Sequence, residues 1–314
     1  MGFSFEKKVK DFKRAIARNG MYASAWLFDR LPYIVVRGLM HVFIFIGFRF
    51  TIKQKAIARE TLSIAFGDEK SPREIDQIIK RCFENLGQAM IELVYFLGHP
   101  GEVDQRISFE GKEYLDAALE KKCGVIAVTA HFGNFPLMML SFARQGYPVN
   151  SIIRPARDRN LEEYLYNKRK EVGVKTIYAM PRHQCVTDSL KVLRNNEILF
   201  VPIDQNFGRQ GGVFVDFFGQ KAATAPGPIV FSLRTKAVIL PMFIIREKDD
   251  QHKVIIEPPL VVEEKDTEEE TIRFNISKIT SLIEQYIRRY PHEWGWMHRR
   301  WKSQPDKKKM SIQK

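Results

Sequence analysis

Short apolar runs constrain the fold of this chain more than any other feature of its sequence. They begin only after Cys123, and between them lie amphipathic segments, such as 161–172 and 186–195, whose apolar residues recur at helical spacing. Short runs that alternate with helices are typical of a sheet with helices packed on its faces. The pattern therefore predicts an α/β fold. The runs are 124–129, 149–153, 174–178, 198–203, 213–217, 237–245 and 253–257.

The first hundred residues are predicted to be helical throughout. Ser71 can cap a helix, Pro72 is tolerated at its first position, and Glu74 completes a capping box, so a helix is expected from here to about Leu97. We therefore divide the chain into a helical N-terminal region, an α/β domain and a polar, lysine-rich tail that is expected to be disordered. These divisions are 1–100, 101–304 and 305–314.

A membrane-associated segment is expected at about residues 31–50. The segment is apolar and close to the roughly 20 residues that span a bilayer, but Arg37 and His41 lie inside it. Basic residues flank both of its ends, so the positive-inside rule does not orient it. Three alternatives stay open: a spanning helix, a helix that lies in the interface or enters one leaflet, and a buried helix of a soluble protein.

The charge of the chain indicates anionic partners. The formal net charge is +13 and the pI is about 9.6, which suits anionic lipid headgroups or an acidic carrier protein. Nucleic acid is not predicted as a partner, because the sequence has no zinc-ligand spacing and no RNP-like strand. Cys82, Cys123 and Cys185 are widely spaced, which predicts neither a disulfide framework nor a metal site. No cofactor is predicted.

His131 is the first candidate for chemistry. It directly follows the run that ends at Thr129 and Ala130, and the carboxyl ends of strands are where α/β sheets usually keep their sites. Gly133 would let a substrate approach the backbone, and the amides after Asn134 could open a helix whose N-terminus favours an oxyanion. The alternative is a structural histidine at the end of a strand.

Polar residues follow two further runs. Arg154 and Arg157 come after the second run and suit planar contacts with phosphate or carboxylate, although a solvated basic face would look the same. Asp204 and Gln205 come after the fourth run. Asp204 could orient an imidazole, bind an acceptor hydroxyl or cap the next turn, and the local pattern does not separate these roles.

Over about residues 30–302, the chain resembles the late acyltransferases of lipid A biosynthesis, the lauroyl and myristoyl transferases within the lysophospholipid acyltransferase superfamily. The blocks that carry the resemblance are HFGNFP at 131–136, IIRP at 152–155, VPIDQNFGRQGGVFVDFFGQKAATAPGP at 201–228, AVILPMF at 237–243 and HEWGWMHRRWK at 292–302. The resemblance implies a glycerol-3-phosphate-acyltransferase-like fold, with a mixed sheet flanked by helices after an N-terminal membrane-associated helical region.

The resemblance also implies a function. It implies an O-acyltransferase at the cytoplasmic face of the bacterial inner membrane. The enzyme would move an acyl chain from acyl carrier protein or acyl-CoA to a hydroxyl of a lipid A precursor or related glycolipid. His131 would be the general base, with Asp204 and Arg154 as further catalytic residues. The predicted substrate-binding residues are Gly133, Asn134, Gln205 and Arg157.

One position departs from the family pattern. In the family pattern, four residues separate the histidine from an aspartate or glutamate. Here the corresponding position is Pro136. The acid would hold the imidazole in one tautomer and stabilise its cation. Three alternatives follow: Asp204 or Asp158 replaces the acid in space, a backbone carbonyl orients the ring, or activity is lost. The last would leave a lipid-binding protein at the membrane surface. An acyltransferase for another glycolipid or a lysophospholipid is also open.

Overall fold

A computed structural model describes residues 2–305 of the chain. The predicted tail, 305–314, lies outside the described residues except for its first one. The N-terminal part consists of helices, as predicted: α1 (Gly2–Phe28), α2 (Tyr33–Phe50), α3 (Ile52–Phe66) and α4 (Pro72–Gly98). The predicted capping box of α4 is present, since the Ser71 amide donates to Glu74 Oε2 (2.8 Å) and the Glu74 amide donates to Ser71 Oγ (3.4 Å).

Strands and helices alternate over most of the remaining chain. The strands are β1 (Ile107–Glu110), β2 (Val125–Thr129), β3 (Val149–Ile153), β4 (Lys175–Tyr178), β5 (Ile198–Pro202), β6 (Val213–Phe217), β7 (Gln220–Thr224), β8 (Val238–Arg246) and β9 (His252–Ile256). The helices are α5 (Lys112–Glu120), α6 (Phe135–Arg144), α7 (Arg159–Glu171), α8 (Arg182–Arg194), α9 (Gly227–Thr235) and α10 (Glu268–Arg289).

Seven strands form one mixed sheet in the order β1-β9-β8-β2-β5-β3-β4. β8 and β9 are antiparallel, and every other neighbouring pair in this sheet is parallel. β6 and β7 form a separate antiparallel hairpin. Ile126 and Val128 pack into the apolar cluster on one face, whereas Val125 and Ala127 pack into the cluster on the other. Both faces are therefore covered, which confirms the predicted mixed sheet flanked by helices.

Two strands differ from the expectation. β1 and β7 were not predicted, because β1 is a short edge strand with alternating polar residues and β7 contains alanines, which have low strand propensity. Apolar periodicity predicts a helix over 274–290 and leaves the acidic stretch 262–271 as a solvated loop or a helix start; α10 begins within that stretch, at Glu268. Thr267 Oγ1 caps it by accepting from the Glu270 amide (3.2 Å), and glutamates in its first turn favour the helix dipole.

Candidate active site

Two parallel strands bring His131 and Asp204 together. β2 and β5 are neighbours, with Thr129 opposite Pro202, and each candidate residue lies two positions beyond its strand. The Ile203 amide donates to the Thr129 carbonyl (3.1 Å), so the pairing continues past the strand ends. Equal offsets from a shared register place the two side chains at the same edge of the sheet. They are 73 positions apart in sequence.

The Asp204 carboxylate is enclosed and both of its oxygens have partners. Oδ1 lies 2.9 Å from His131 Nδ1, and Oδ2 accepts a hydrogen bond from Trp294 Nε1 (2.8 Å). The Asp204 side chain has no exposed surface, whereas 30% of the His131 side chain is exposed. The imidazole therefore contacts the buried acid through Nδ1, while another part of the ring is exposed.

The pair sets the protonation of both groups. Burial alone would lower the pKa of His131, but the charge of Asp204 and the hydrogen bond to it outweigh burial and raise that pKa above 6.5. Burial would raise the pKa of Asp204. The charge of His131, with hydrogen bonds from His131 and Trp294, instead holds that pKa well below its ordinary value. When His131 is neutral, Nδ1–H donates to Asp204 and Nε2 keeps a lone pair that can accept a proton.

Of the two acids that the sequence left open, Asp204 is the one that contacts His131. Asp158 instead caps α7, where its Oδ1 accepts from the Leu161 amide (3.0 Å), and its Oδ2 pairs with Arg18 Nη1 (2.8 Å). Pro136 lies in the first turn of α6, where a missing N–H removes no helical hydrogen bond.

The shape of the turn after His131 depends on the backbone conformation of Gly133 and on the buried side-chain amide of Asn134. Gly133 has φ +57°, and a Cβ at this position would collide with the Ile244 carbonyl, so glycine is required. Asn134 Oδ1 caps α6 by accepting from the Leu137 amide (3.3 Å), and its Nδ2 donates to Glu92 Oε2 (2.8 Å). The side chain of Asn134 is therefore committed to protein partners, and substrate contacts by Gly133 and Asn134 stay predictions.

A second buried carboxylate lies next to this turn. Glu92 of α4 is fully buried and receives Arg246 Nη1 and Nη2 on its two oxygens (2.6 and 2.7 Å). Tyr33 Oη donates to Oε1 (3.3 Å), and His252 Nε2 lies 3.5 Å from Oε2. Burial would raise the pKa of Glu92, but the hydrogen bonds and the charge of Arg246 lower it. The carboxylate is therefore ionised and enclosed.

The remaining predicted residues are Arg154, Arg157 and Gln205, and they differ in how they relate to His131. Arg154 follows β3, is exposed and lines the cavity described below. Arg157 is also exposed but does not line that cavity. Gln205 Nε2 donates to His298 Nε2 (3.2 Å). The structure thus brings His131, Asp204 and Gln205 to one place and puts Arg154 at its margin.

The C-terminal block supplies residues that were not predicted individually. The His298 ring lies 5.7 Å from the His131 ring, and burial lowers the pKa of His298, which favours a neutral imidazole. Because Gln205 donates to Nε2, the proton of neutral His298 is on Nδ1. Fully buried Arg300 donates to the carbonyls of Gln205 (3.1 Å) and Ala223 (2.6 Å). The block HEWGWMHRRWK was the available signal, but it has no periodicity that assigns roles.

An apolar cavity of about 780 Å³ opens beside His131. Its volume is in the range of about 300–1,000 Å³ that is usual for small-molecule sites. The wall residues are mostly apolar and come from α1, α4, α6, α7, β3 and β5 and from the loops next to them. The wall includes Tyr22, Trp26, Met90, Leu93, Phe135, Pro136, Met139, Ile152, Arg154 and Leu165.

The sequence of the chain matches known proteins along most of its length. The family described as bacterial lipid A biosynthesis acyltransferase matches residues 4–303. The lipid A biosynthesis palmitoleoyltransferase of Escherichia coli K12 is 27% identical over 291 residues, which cover 89% of each chain. The lipid A biosynthesis lauroyltransferase of the same organism is 26% identical over 286 residues, which cover 90% of each.

Two further proteins are more distant. The phosphatidylinositol mannoside acyltransferase of Mycobacterium tuberculosis H37Rv is 24% identical over 132 residues, 42% of each chain. Among solved structures, the 1-acyl-sn-glycerophosphate acyltransferase PlsC of Thermotoga maritima aligns with a TM-score of 0.37 and 15% identity, over 79% of this chain and 98% of that one.

Proposed function

Because the chain belongs to the bacterial lipid A biosynthesis acyltransferase family, we propose that it moves a fatty acyl chain from a thioester donor to a hydroxyl of a lipid A precursor or related glycolipid. The donor is acyl carrier protein or acyl-CoA. The observation that carries the proposal is the His131 imidazole at an apolar cavity, with a buried carboxylate on its Nδ1.

The proposed chemistry needs one base and no covalent acyl-enzyme. A neutral hydroxyl is a poor nucleophile, so Nε2 of His131 takes its proton as the oxygen attacks the thioester carbon. The tetrahedral oxyanion then collapses and expels the thiolate, which recovers the proton from the imidazolium. Asp204 stabilises that imidazolium and fixes the tautomer that leaves Nε2 available.

Asp204 takes the part that the family pattern gives to the residue at position 136. The support is geometric, since its Oδ1 lies 2.9 Å from Nδ1 and Trp294 fixes the other oxygen. A buried acid with a strongly lowered pKa stays ionised when the imidazole becomes charged. This arrangement supports a working centre in spite of Pro136.

The cavity is proposed to take the acyl chain of the donor. Its wall beside His131 contains Phe135, Pro136 and Met139, which offer no hydrogen bonds, so a hydrocarbon chain loses nothing by entering. Each methylene that leaves water contributes about 0.8 kcal/mol to binding. Arg154 at the margin suits a phosphate or carboxylate of either substrate.

We place the reaction at the cytoplasmic face of the inner membrane. The support is α2, which is long and apolar enough to contact a bilayer, together with lipid A biosynthesis in the names of the relatives. A cytoplasmic face also provides the acyl carrier protein or acyl-CoA that the reaction requires.

The test is transfer of labelled acyl chains from acyl carrier protein to a lipid A precursor by membranes that contain the protein. We expect His131→Ala to lower the rate at least about a thousandfold, since the base is lost and Asp204 is left without the imidazolium that it would stabilise. Full transfer by the variant would contradict the assignment of the base. Absence of transfer by the natural chain, with retained lipid binding, would favour the binding-protein alternative. Transfer only to mannosylated phosphatidylinositol would change the acceptor.

A further inference from the structure

Helix α2 presents an apolar outer face that protein does not cover. We define the leaflet face as its exposed large side chains and those at the start of α3. Val42 and Phe45 are 54% and 66% exposed, and only 17% of the helix is buried. Single exposed apolar residues are ordinary, but a continuous row marks a binding surface. The face consists of Ile34, Val35, Val42, Phe43, Phe45, Ile46, Phe50 and Ile52.

The opposite stripe of α2 packs on protein along its whole length. Tyr33, Val36 and Met40 are buried near its start. Near its end, the Phe48 ring lies 5.7 Å from the ring of Phe83 in α4. One basic residue of the helix, Arg37, is also bound to the α/β part, since its Nε lies 2.7 Å from Asp250 Oδ2. A helix that crosses a bilayer alone would have lipid on this stripe as well.

The elements on both sides of α2 in sequence are held to the same body. In α1, which precedes it, Arg18 pairs with Asp158 (2.8 Å), Tyr22 Oη donates to the Asn160 carbonyl (3.0 Å), and the rings of Tyr22 and Tyr164 lie 4.9 Å apart. α4, which follows it, reaches the centre of the fold through Glu92. A hydrocarbon core about 30 Å thick cannot separate two elements that contact one α/β body.

The charges around the leaflet face identify what covers it. Residues 30–59 contain no acidic residue, whereas Arg49 and Lys53 are exposed. A second copy of the chain would bring two basic rims together, and like charges repel. Anionic headgroups complement this rim and leave the apolar row in contact with acyl chains.

We propose that α2 is not a transmembrane span and that the chain is monotopic: the leaflet face lies flat on one anionic leaflet, with α1 and the α/β part on the same side. The wall of the cavity includes Tyr22 and Trp26 of α1, so this placement keeps these wall residues on the same side of the membrane as the α/β part. Leaflet binding does not require acyl transfer, so it and the proposed function can fail separately.

Topology is tested with one added cysteine at a time in the full chain, in which Cys82 and Cys185 are buried. Asn19→Cys in α1 and Gln54→Cys in α3 lie before and after α2, and Cys123→Ser removes the partly exposed native thiol. We expect a membrane-impermeant maleimide to label both positions from the same side, in right-side-out and inverted vesicles compared in parallel. Labelling from opposite sides would show that α2 spans the bilayer and would overturn the proposal.

The proposal that an anionic leaflet covers the leaflet face is tested by flotation of the purified chain with vesicles. We expect binding to vesicles that contain a quarter phosphatidylglycerol, and about tenfold weaker partition after Val42→Glu with Phe45→Glu, because burial of two large side chains is lost. The matched control is Phe274→Glu, an exposed phenylalanine of α10 away from this face. Equal effects of the two variants, or a dimer in solution that Val42→Glu with Phe45→Glu dissociates without weakening vesicle binding, would overturn the assignment of the face.

Discussion

Two buried carboxylates, Asp204 and Glu92, flank the turn after His131, and they differ in the residues that donate hydrogen bonds to them. Asp204 accepts from His131 and Trp294, whereas Glu92 accepts from Arg246, Asn134 and Tyr33. Both acids are ionised, because hydrogen bonds and an opposite charge outweigh burial.

The partners explain why only one of these pairs is a candidate for catalysis. Arg246 stays charged at any working pH and is nearly enclosed, so the Glu92 pair has no proton to exchange. His131 can gain and lose a proton, and its exposed part adjoins the cavity. A buried ion pair therefore indicates a candidate catalytic site only when one member titrates and can reach a substrate. The Glu92 pair instead holds the turn through Asn134.

The largest expected effect is the loss of activity when Asp204, rather than Glu92, is changed. We expect Asp204→Asn to lower kcat by about a thousandfold to ten-thousandfold, because the amide neither stabilises the imidazolium nor enforces its tautomer. The measurement is single-turnover acyl transfer. The control is Glu268→Gln in the exposed first turn of α10, for which no change is expected. Equal losses would remove Asp204 from the site.

Removal of the other acid should act mainly on stability. We expect Glu92→Ala to lower the free energy of unfolding by about 3–5 kcal/mol, because Arg246 is left buried without its partner. The measurement is urea denaturation, together with activity per folded molecule. Glu110→Ala, which removes the exposed partner of Lys253, should leave stability unchanged. A stable Glu92→Ala variant with lost activity would instead make this pair part of the chemistry.

The acid limb of the pH dependence of activity should follow His131. Its pKa is raised above 6.5, and the protonated ring cannot act as a base, so kcat/KM should fall about tenfold per pH unit below that pKa. Asp204→Asn removes the charge that raises the pKa and leaves burial, which lowers it. The acid limb of the profile should therefore move to lower pH in this variant. An unmoved limb would show that another group titrates.

The smallest expected effect concerns the second donor to Asp204. Trp294→Phe keeps an aromatic ring but leaves Asp204 Oδ2 without its hydrogen bond, which costs about 1–3 kcal/mol. We expect a loss of activity of about tenfold. The matched control is Trp301→Phe, since the Trp301 indole donates to the Phe217 carbonyl instead (3.2 Å). A larger loss in the control would mean that packing of the C-terminal block dominates.

Much of the fold could be predicted because apolar periodicity is local. The helical N-terminal part, the strands that contribute most to the sheet and the helices between them follow from spacing along the chain. β7 was missed, because Ala222 and Ala223 are buried in it but are poor strand formers. The prediction of His131 and Asp204 as site candidates also followed from position alone, since both come directly after apolar runs.

The sequence by itself determined which residues lie at the edge of the sheet, which helix is apolar, and that position 136 holds a proline where the resemblance leads one to expect an acid. Tertiary structure decided which acid meets His131, since Asp204 is brought there by strand pairing and Asp158 is used as a helix cap. It also decided that the Trp294 indole, 90 positions away, fixes that acid. Contacts between distant segments depend on strand order and register, and no local pattern of side chains contains that information.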